Sequence, residues 1–124
     1  MPADLSFPHT PTEIKVKRQE KRLDVIFDDG AEFQLPAEFL RVHSPSAEVQ
    51  GHSPAERQTV GGRRHVGIMN VEPVGGYAIR ITFDDTHDTG IYSWETLYKF
   101  GLNQERMWAD YLADLEKAGL SRDP

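Results

Sequence analysis

Two runs of alternating apolar and polar residues, each interrupted by a turn signal, constrain the fold of this chain more than any other feature. The first is "LDVIFDDGAEFQL" (residues 23–35), which alternates on both sides of Asp29-Gly30. The second consists of "VGIMNVEPV" (66–74) and "YAIRITF" (77–83), which flank Gly75-Gly76. A period of two is the pattern of a strand with one buried face. Because Asp-Gly and Gly-Gly favour positive φ, we expect two antiparallel hairpin systems, the first with a two-residue turn.

Further strand signals extend both systems. Ile14 and Val16 alternate ahead of the first hairpin, and "TGIYSW" (89–94) is typical of a short strand after the second. The basic stretch "KVKRQEKR" (15–22) is interpreted as a solvated edge strand rather than a binding patch, since basic side chains deter pairing between sheet edges.

The region after the first hairpin changes character twice. Pro36 suits the first position of a helix, so "PAEFLRV" (36–42) is predicted to be a short helix. Residues 43–65 then contain two Ser-Pro pairs and three glycines without periodicity. We expect a long mobile loop there, and such loops in compact domains often carry function.

Two more helices are predicted towards the C-terminus. Ser93 can cap "WETLYKF", which we expect to end at Gly101, and Asn103 can cap "QERMWADYLADLEKA", which Gly119 closes. The predicted fold class is α+β, with antiparallel strands from two hairpin systems packed against two or three short helices.

The length of 124 residues suits a single domain, which we place at residues 13–120 behind a flexible, proline-containing arm of residues 1–12. Asp and Glu outnumber Lys and Arg by 20 to 14, which argues against a nucleic-acid-binding surface. The chain has no cysteine, no signal-peptide pattern at its start and no apolar run long enough to span a membrane. We therefore expect a cytoplasmic protein with no membrane partner.

The segment "DDTHD" (84–88) concentrates three carboxylates around one imidazole. Three interpretations are open: an acidic turn, a metal site that uses His87 with Asp85 and Asp88, or an acid–base pair. A ferrous site typically needs two histidines and a carboxylate, and no second histidine is well placed here. No phosphate-binding loop, nucleophile elbow or dinucleotide motif is present, so no enzyme activity is predicted.

The long loop offers a second candidate site. Gly61-Gly62 followed by Arg63, Arg64 and His65 can bind an anion through backbone N–H groups and guanidiniums, or can be a solvated loop. With His43 and His52, this loop is our first candidate for a surface that contacts a partner.

The motifs resemble a known family. "FDDG" (27–30), "LP" (35–36) and "FLR" (39–41) resemble the first signature of the gamma-butyrobetaine hydroxylase-like N-terminal domain, and "FDDTH" (83–87) with the aromatic residues after it resembles the second. The likeness is to small standalone bacterial members, which were catalogued as a domain of unknown function. In the hydroxylases this domain is not catalytic, and the oxygenase chemistry lies in a separate barrel.

The resemblance also implies a zinc site, which this sequence lacks in part. The hydroxylase domain holds zinc through three cysteines and a histidine. At those positions this chain has Ser44, Ser46, Val49 and His87. Neutral hydroxyls and a valine cannot replace thiolates around zinc. No cofactor is therefore expected, and a site for iron or zinc rebuilt with His43, His52 or His65 is the less favoured possibility.

The resemblance suggests a function in association with another protein. Related domains are fused to ATPases that carry iron–sulfur clusters, which implies an accessory role. We expect a non-enzymatic accessory or protein-interaction domain, whose partner would be an iron–sulfur carrier or an iron enzyme. The alternative is a metal-binding protein that uses His87 with its neighbouring aspartates. A monomer and a homodimer are both compatible with the sequence.

Overall fold

The fold consists of two small antiparallel sheets and three helices, as seen in a computed structural model that describes residues 7–51 and 57–124. In chain order the elements are strands β1 (Pro11–Lys17), β2 (Arg22–Phe27) and β3 (Glu32–Pro36), helices α1 (Ala37–Val42) and α2 (Ala47–Gln50), strands β4 (Ile68–Val74), β5 (Ala78–Phe83) and β6 (Gly90–Ser93), and helix α3 (Trp94–Ala118). The α+β fold class and both hairpin systems are confirmed. No helix among the described residues is both long enough and apolar enough to cross a membrane.

The first sheet has the order β1-β2-β3, so the basic strand β1 lies at an edge as predicted. The turn between β2 and β3 differs from the predicted two-residue type. Phe27 and Ala31 are joined by a hydrogen bond from the Phe27 N–H to the Ala31 carbonyl (2.8 Å), which leaves three residues in the connection. The Asp29 carboxylate accepts the Ala31 N–H (3.0 Å), and Gly30 alone takes positive φ, at 88°. An aspartate that stabilises a turn in this way favours a longer connection with one left-handed residue.

The second sheet has the order β4-β5-β6 and is separate from the first. The two sheets pack against each other through a shared apolar core. Alternate residues of both sheets face inward, as the period of two requires. The buried positions form one apolar cluster, to which the first sheet contributes Leu23, Val25, Phe27 and Leu35, and the second Ile68, Ile79, Ile81, Phe83 and Tyr92.

The C-terminal segment forms one 25-residue helix, α3, and not the two short helices expected. Ser93 caps it by accepting the Thr96 N–H (3.1 Å), and Gly119 ends it in the left-handed conformation, both as predicted. Gly101 lies inside the helix, where a Cβ atom would come within 2.2 Å of the Phe33 ring. This glycine allows close packing on β3 and does not end the helix. Asn103 likewise donates to the Lys99 carbonyl within the helix and is not a cap.

The predicted long loop contains the four-residue helix α2, and its two described parts are joined by a hydrogen bond from the Gln58 N–H to the Val49 carbonyl (2.7 Å). His52 lies outside the described residues. The predicted arm overlaps β1, which begins at Pro11, and Phe7 packs edge-on against Tyr98. The mobility of either segment stays a prediction.

Candidate functional site

The turn between β5 and β6 positions His87, the one histidine at the predicted metal site. The Phe83 N–H donates to the His87 carbonyl (2.9 Å), and the His87 N–H donates to the Asp85 carboxylate (3.1 Å). Thr86 takes a positive φ of 74°, which reverses the chain tightly enough to allow both bonds. The backbone therefore holds the imidazole in one place, and its side chain is almost fully buried.

The His87 ring contacts three polar side chains from the segment that follows α1. Its Nε2 lies 2.9 Å from the Ser44 Oγ and 3.3 Å from the Ser46 Oγ, and its Nδ1 lies 3.1 Å from a Glu48 carboxylate oxygen. A carboxylate only accepts, so Nδ1 carries the proton in the neutral ring and Nε2 accepts from a serine hydroxyl. We call Ser44, Ser46, Glu48 and His87 the His87 cluster. It ties the residues around α2 to the β5–β6 turn.

The electrostatics of the His87 cluster favour a neutral imidazole. Burial lowers the pKa of His87, and the nearby Arg41 cation lowers it further, while Glu48 and Asp85 act in the opposite direction. The net pKa lies below the ordinary value of 6.5. A neutral ring can keep both a donor and an acceptor nitrogen, which this arrangement of partners needs.

The Asp85 carboxylate is paired with two arginines. The Arg41 Nε donates to the Asp85 Oδ2 at 2.7 Å, and the Arg63 Nε lies at the same distance from that oxygen. The Arg63 contact lacks the alignment of a hydrogen bond and is an ion pair only. Burial acts to raise the pKa of Asp85, but the His87 N–H and both arginines outweigh it, so the pKa is lowered. The carboxylate is ionised and already neutralised by cations.

The predicted metal residues are thus only partly brought together. Asp85 meets the His87 backbone N–H, and its carboxylate faces the arginines, whereas Asp88 is exposed on the turn. Among the residues that the structure describes, the ligand atoms of His87, Asp85 and Asp88 do not form a group with metal-ligand spacing. By contrast, two of the positions at which the resemblance implies zinc ligands, Ser44 and Ser46, do meet the His87 ring. Val49, at the third of these positions, is a buried residue of α2.

The predicted anion site is not assembled. Arg63 points to Asp85, while Arg64 pairs with Asp123 near the C-terminus (2.5 Å). His65 is exposed, and His43 is half-buried elsewhere, with its Nδ1 2.8 Å from the Phe39 carbonyl. These side chains point in different directions, so they do not converge on one ligand.

One group with metal-ligand spacing was missed by the sequence analysis. In the described part of the chain, only His9, Asp28 and Asp29 bring three ligand atoms within 4.8 Å of one another. The group is largely exposed, and its polar atoms already have partners within the protein. His9 lies 3.2 Å from Asp28, and the Tyr98 hydroxyl donates to Asp29 (2.5 Å). The "FDDG" turn was a signal for the carboxylates, but nothing in the sequence placed a histidine from the arm beside them.

A groove of about 620 Å³ opens between α1 and α3, and sequence reasoning did not locate it. The Glu38 carboxylate, which is almost fully buried, makes two bonds to Arg122, at 2.7 and 2.9 Å. The Arg122 guanidinium in turn lies 5.1 Å from the centre of a Trp108 ring. We call this the α1–α3 groove. Its lining includes Pro36, Glu38, Phe39, Leu102, Trp108 and Arg122.

The fold and the His87 cluster define a small α+β domain in which a buried histidine joins the two halves of the chain. The chain belongs to the gamma-butyrobetaine hydroxylase-like N-terminal family, whose model matches residues 14–98. This confirms the resemblance drawn from the motifs. No significant match is found among curated proteins.

Solved structures support the same assignment. Two solution structures determined by NMR are 46% and 44% identical to this chain, each with a TM-score of 0.82. The alignments cover 94% and 100% of this chain, and 91% of each relative. A crystal structure from Acidithiobacillus ferrooxidans ATCC 23270 is 36% identical with a TM-score of 0.62, over 73% of this chain and 91% of that one. It is described as a protein of unknown function in the DUF971 family.

Proposed function

We propose that this chain is a non-enzymatic accessory domain that binds a protein partner through the α1–α3 groove. The observation that carries the proposal is Leu102, which is 65% exposed on α3 at the groove, the largest exposure of any large apolar side chain in the described residues. An apolar side chain left in solvent beside a concave surface is a common feature of protein contact sites.

The composition of the groove fits a contact surface. Pro36, Leu102 and Trp108 contribute apolar surface over the buried Phe39, and the Glu38–Arg122 pair adds charge at one side. Tryptophan and arginine are the residue types on which binding energy most often depends in protein interfaces. An apolar centre beside charged residues allows a partner to bury area without leaving a charge unpaired.

The class of partner follows from the family resemblance. An iron–sulfur carrier or an iron enzyme is the partner that an accessory domain of this kind would serve. The proposal concerns binding only, so the pure protein is expected to turn over no substrate.

Site-specific photo-crosslinking tests the surface. A crosslinking residue at position 102 should capture a partner in cells, whereas the same residue at Leu112, an exposed leucine on the same helix outside the groove, should not. With the captured protein purified, Leu102→Asp should weaken binding by about tenfold or more, since a charge would enter an apolar contact. Equal capture at both positions, or unchanged affinity in the variant, would rule out the groove.

The metal-binding alternative has less support. Its carboxylate ligand Asp85 is already paired with Arg41 and Arg63, and Asp88 is exposed. Elemental mass spectrometry of tag-free protein beside His87→Ala distinguishes the two proposals, because near-stoichiometric iron or zinc that is lost in the variant would favour the metal site.

A further inference from the structure

We propose that the His87 cluster is a metal-free lock, which replaces with hydrogen bonds the connection that a zinc ion makes at these positions in the hydroxylase domain. The lock joins the segment after α1 to the β5–β6 turn. This inference does not depend on the proposed binding function, because it concerns how the fold is held together.

The donor chemistry of the cluster does not fit zinc. Structural zinc sites use four ligands, drawn from thiolates, imidazoles and carboxylates. Ser44 and Ser46 offer neutral hydroxyls, and Val49 offers no donor atom. The remaining good donors are the His87 ring and the Glu48 carboxylate, and these two contact each other. Too few ligands are left to hold the ion.

The geometry nevertheless places the side chains where ligands would be. In a tetrahedral site, bonds of about 2.0 Å to nitrogen and about 2.3 Å to sulfur put the two ligand atoms roughly 3.5 Å apart. The His87 Nε2 is 2.9 Å from one serine oxygen and 3.3 Å from the other. These separations are close to the ligand spacing and also within the range of direct hydrogen bonds, so the side chains at the ligand positions can bond to one another. Gly90 makes this approach possible, because a Cβ atom there would lie 2.6 Å from the Ser44 Oγ.

The charge balance supports the same replacement. Zinc with three thiolates and a neutral histidine carries a net charge of about −1. Beside the His87 cluster, Arg41 and Arg63 share the single carboxylate Asp85, which leaves one positive charge in excess. Glu48 supplies one negative charge directly at the His87 ring. The Glu48 carboxylate therefore supplies the negative charge that the zinc–thiolate group supplies in the hydroxylase domain.

The test compares the natural chain with a variant in which the missing ligands are restored. Ser44→Cys/Ser46→Cys/Val49→Cys, purified without a histidine tag, should hold about one zinc per chain by elemental mass spectrometry. Its melting temperature should fall when a chelator removes the zinc. The natural chain should hold no stoichiometric metal, and neither zinc nor chelator should move its melting temperature.

Several results would overturn the proposal. Stoichiometric metal in the natural chain, or a chelator-sensitive melting temperature, would show that the lock is not metal-free. A folded triple variant that takes up no zinc would show that the cluster does not occupy the ligand positions. If the triple variant does not fold, the natural chain still decides the first point, and Ser44→Ala tests the lock itself: the melting temperature must fall if the hydroxyl is part of it, and an unchanged value would overturn the proposal.

Glu48 provides an independent readout. Glu48→Gln should lower the melting temperature of the natural chain but leave that of the zinc-loaded triple variant unchanged, because the metal–thiolate group already supplies the negative charge. An equal loss in both backgrounds would contradict the charge replacement. Glu32→Gln, at an exposed carboxylate on β3, is a matched control for removing a surface carboxylate.

Discussion

At the scale of single residues, His87 is the side chain that the two buried hydroxyls of Ser44 and Ser46 contact. Both of its ring nitrogens have partners, and Ser44, which has no exposed surface, has the ring as its side-chain partner. Buried polar groups cost little when they are paired and much when one partner is removed. The His87 cluster therefore stabilises the fold mainly because each of its buried polar groups has a hydrogen-bond partner.

His87→Ala should lower the free energy of unfolding by about 2–3 kcal/mol, because it removes the ring nitrogen that both buried hydroxyls contact, leaves the Ser44 Oγ with only the Ser46 N–H, and opens a cavity. Urea unfolding followed by circular dichroism measures the change. His65→Ala, at an exposed histidine, is the control and should stay within about 0.5 kcal/mol of the natural chain. A loss of similar size in both variants would contradict the role given to the cluster.

Stability should fall in mild acid because two histidines, the buried His87 and the half-buried His43, resist protonation. Burial lowers the folded-state pKa of both His87 and His43 below 6.5. The unfolded chain then binds protons first, so the stabilisation is complete above about pH 6.5 and is lost as the pH falls from there towards the folded-state values. The lowered pKa of Asp85 acts in a separate window, below 3.8.

Urea midpoints measured from about pH 8 to about pH 5 test this slope. The double variant His43→Gln/His87→Gln should show a flatter dependence than the natural chain over that range. Identical slopes would mean that neither histidine titrates differently in the folded and unfolded states.

At the scale of elements, α3 is continuous because Gly101 serves packing instead of termination. Glycine is a poor helix former by about 1 kcal/mol relative to alanine, so its presence in mid-helix needs a reason. The Phe33 ring from β3 occupies the space where a side chain would be. The contact between α3 and the first sheet thus depends on an absent Cβ atom.

Gly101→Ala should destabilise the protein by about 1–3 kcal/mol despite the better helix propensity of alanine, since the new methyl group clashes with Phe33. Chemical unfolding of Gly101→Ala, of Phe33→Leu and of the double variant measures the coupling between the two positions. The double variant should recover part of the loss. A stabilised single variant would indicate that the ring moves away without cost.

The elements that could be predicted are those with a strong local period. The strands around Asp29-Gly30 and Gly75-Gly76 were expected from alternation, which a one-sided core imposes on each strand separately. The break at Gly101 was wrong because a glycine that ends a helix and a glycine that admits a ring from another strand look the same in sequence. Only the Phe33 contact, which spans distant parts of the chain, tells them apart.

At the scale of the whole molecule, the C-terminal tail ties α3 back to the rest of the fold. Backbone bonds join Gly62 to Ser121 (2.9 Å) and Arg64 to Arg122 (3.0 Å), and the Arg122 side chain pairs with Glu38 on α1. The tail therefore connects residues 62–64 with α1, and its Arg122 lies at one side of the α1–α3 groove.

Arg122→Ala should lower the free energy of unfolding by about 2 kcal/mol, because it leaves the buried Glu38 carboxylate without its cation. Arg106→Ala, at an exposed pair within α3, should have an effect below about 0.5 kcal/mol. Differential scanning calorimetry compares both variants with the natural chain. Equal melting temperatures for all three would show that the Glu38–Arg122 pair contributes nothing to stability.

The candidate site could be predicted only in part, for reasons of distance along the chain. His87 stood out in "DDTHD", and the family resemblance pointed to Ser44 and Ser46. The pairing of Asp85 with Arg41 and Arg63 had no local signal, because Arg41 and Asp85 are 44 positions apart. Contacts of that kind depend on how the two sheets face each other, and no periodicity records it.

The core shared by the two sheets affects how the chain folds during its synthesis on the ribosome. The inner face of the first sheet is covered by the second, and about thirty residues separate the end of β3 from the start of β4. At ordinary translation speeds, completing the second sheet takes roughly several seconds more. For that interval the apolar inner face of the first sheet is uncovered in the nascent chain, so we expect the native core to form only after the second sheet has been synthesised.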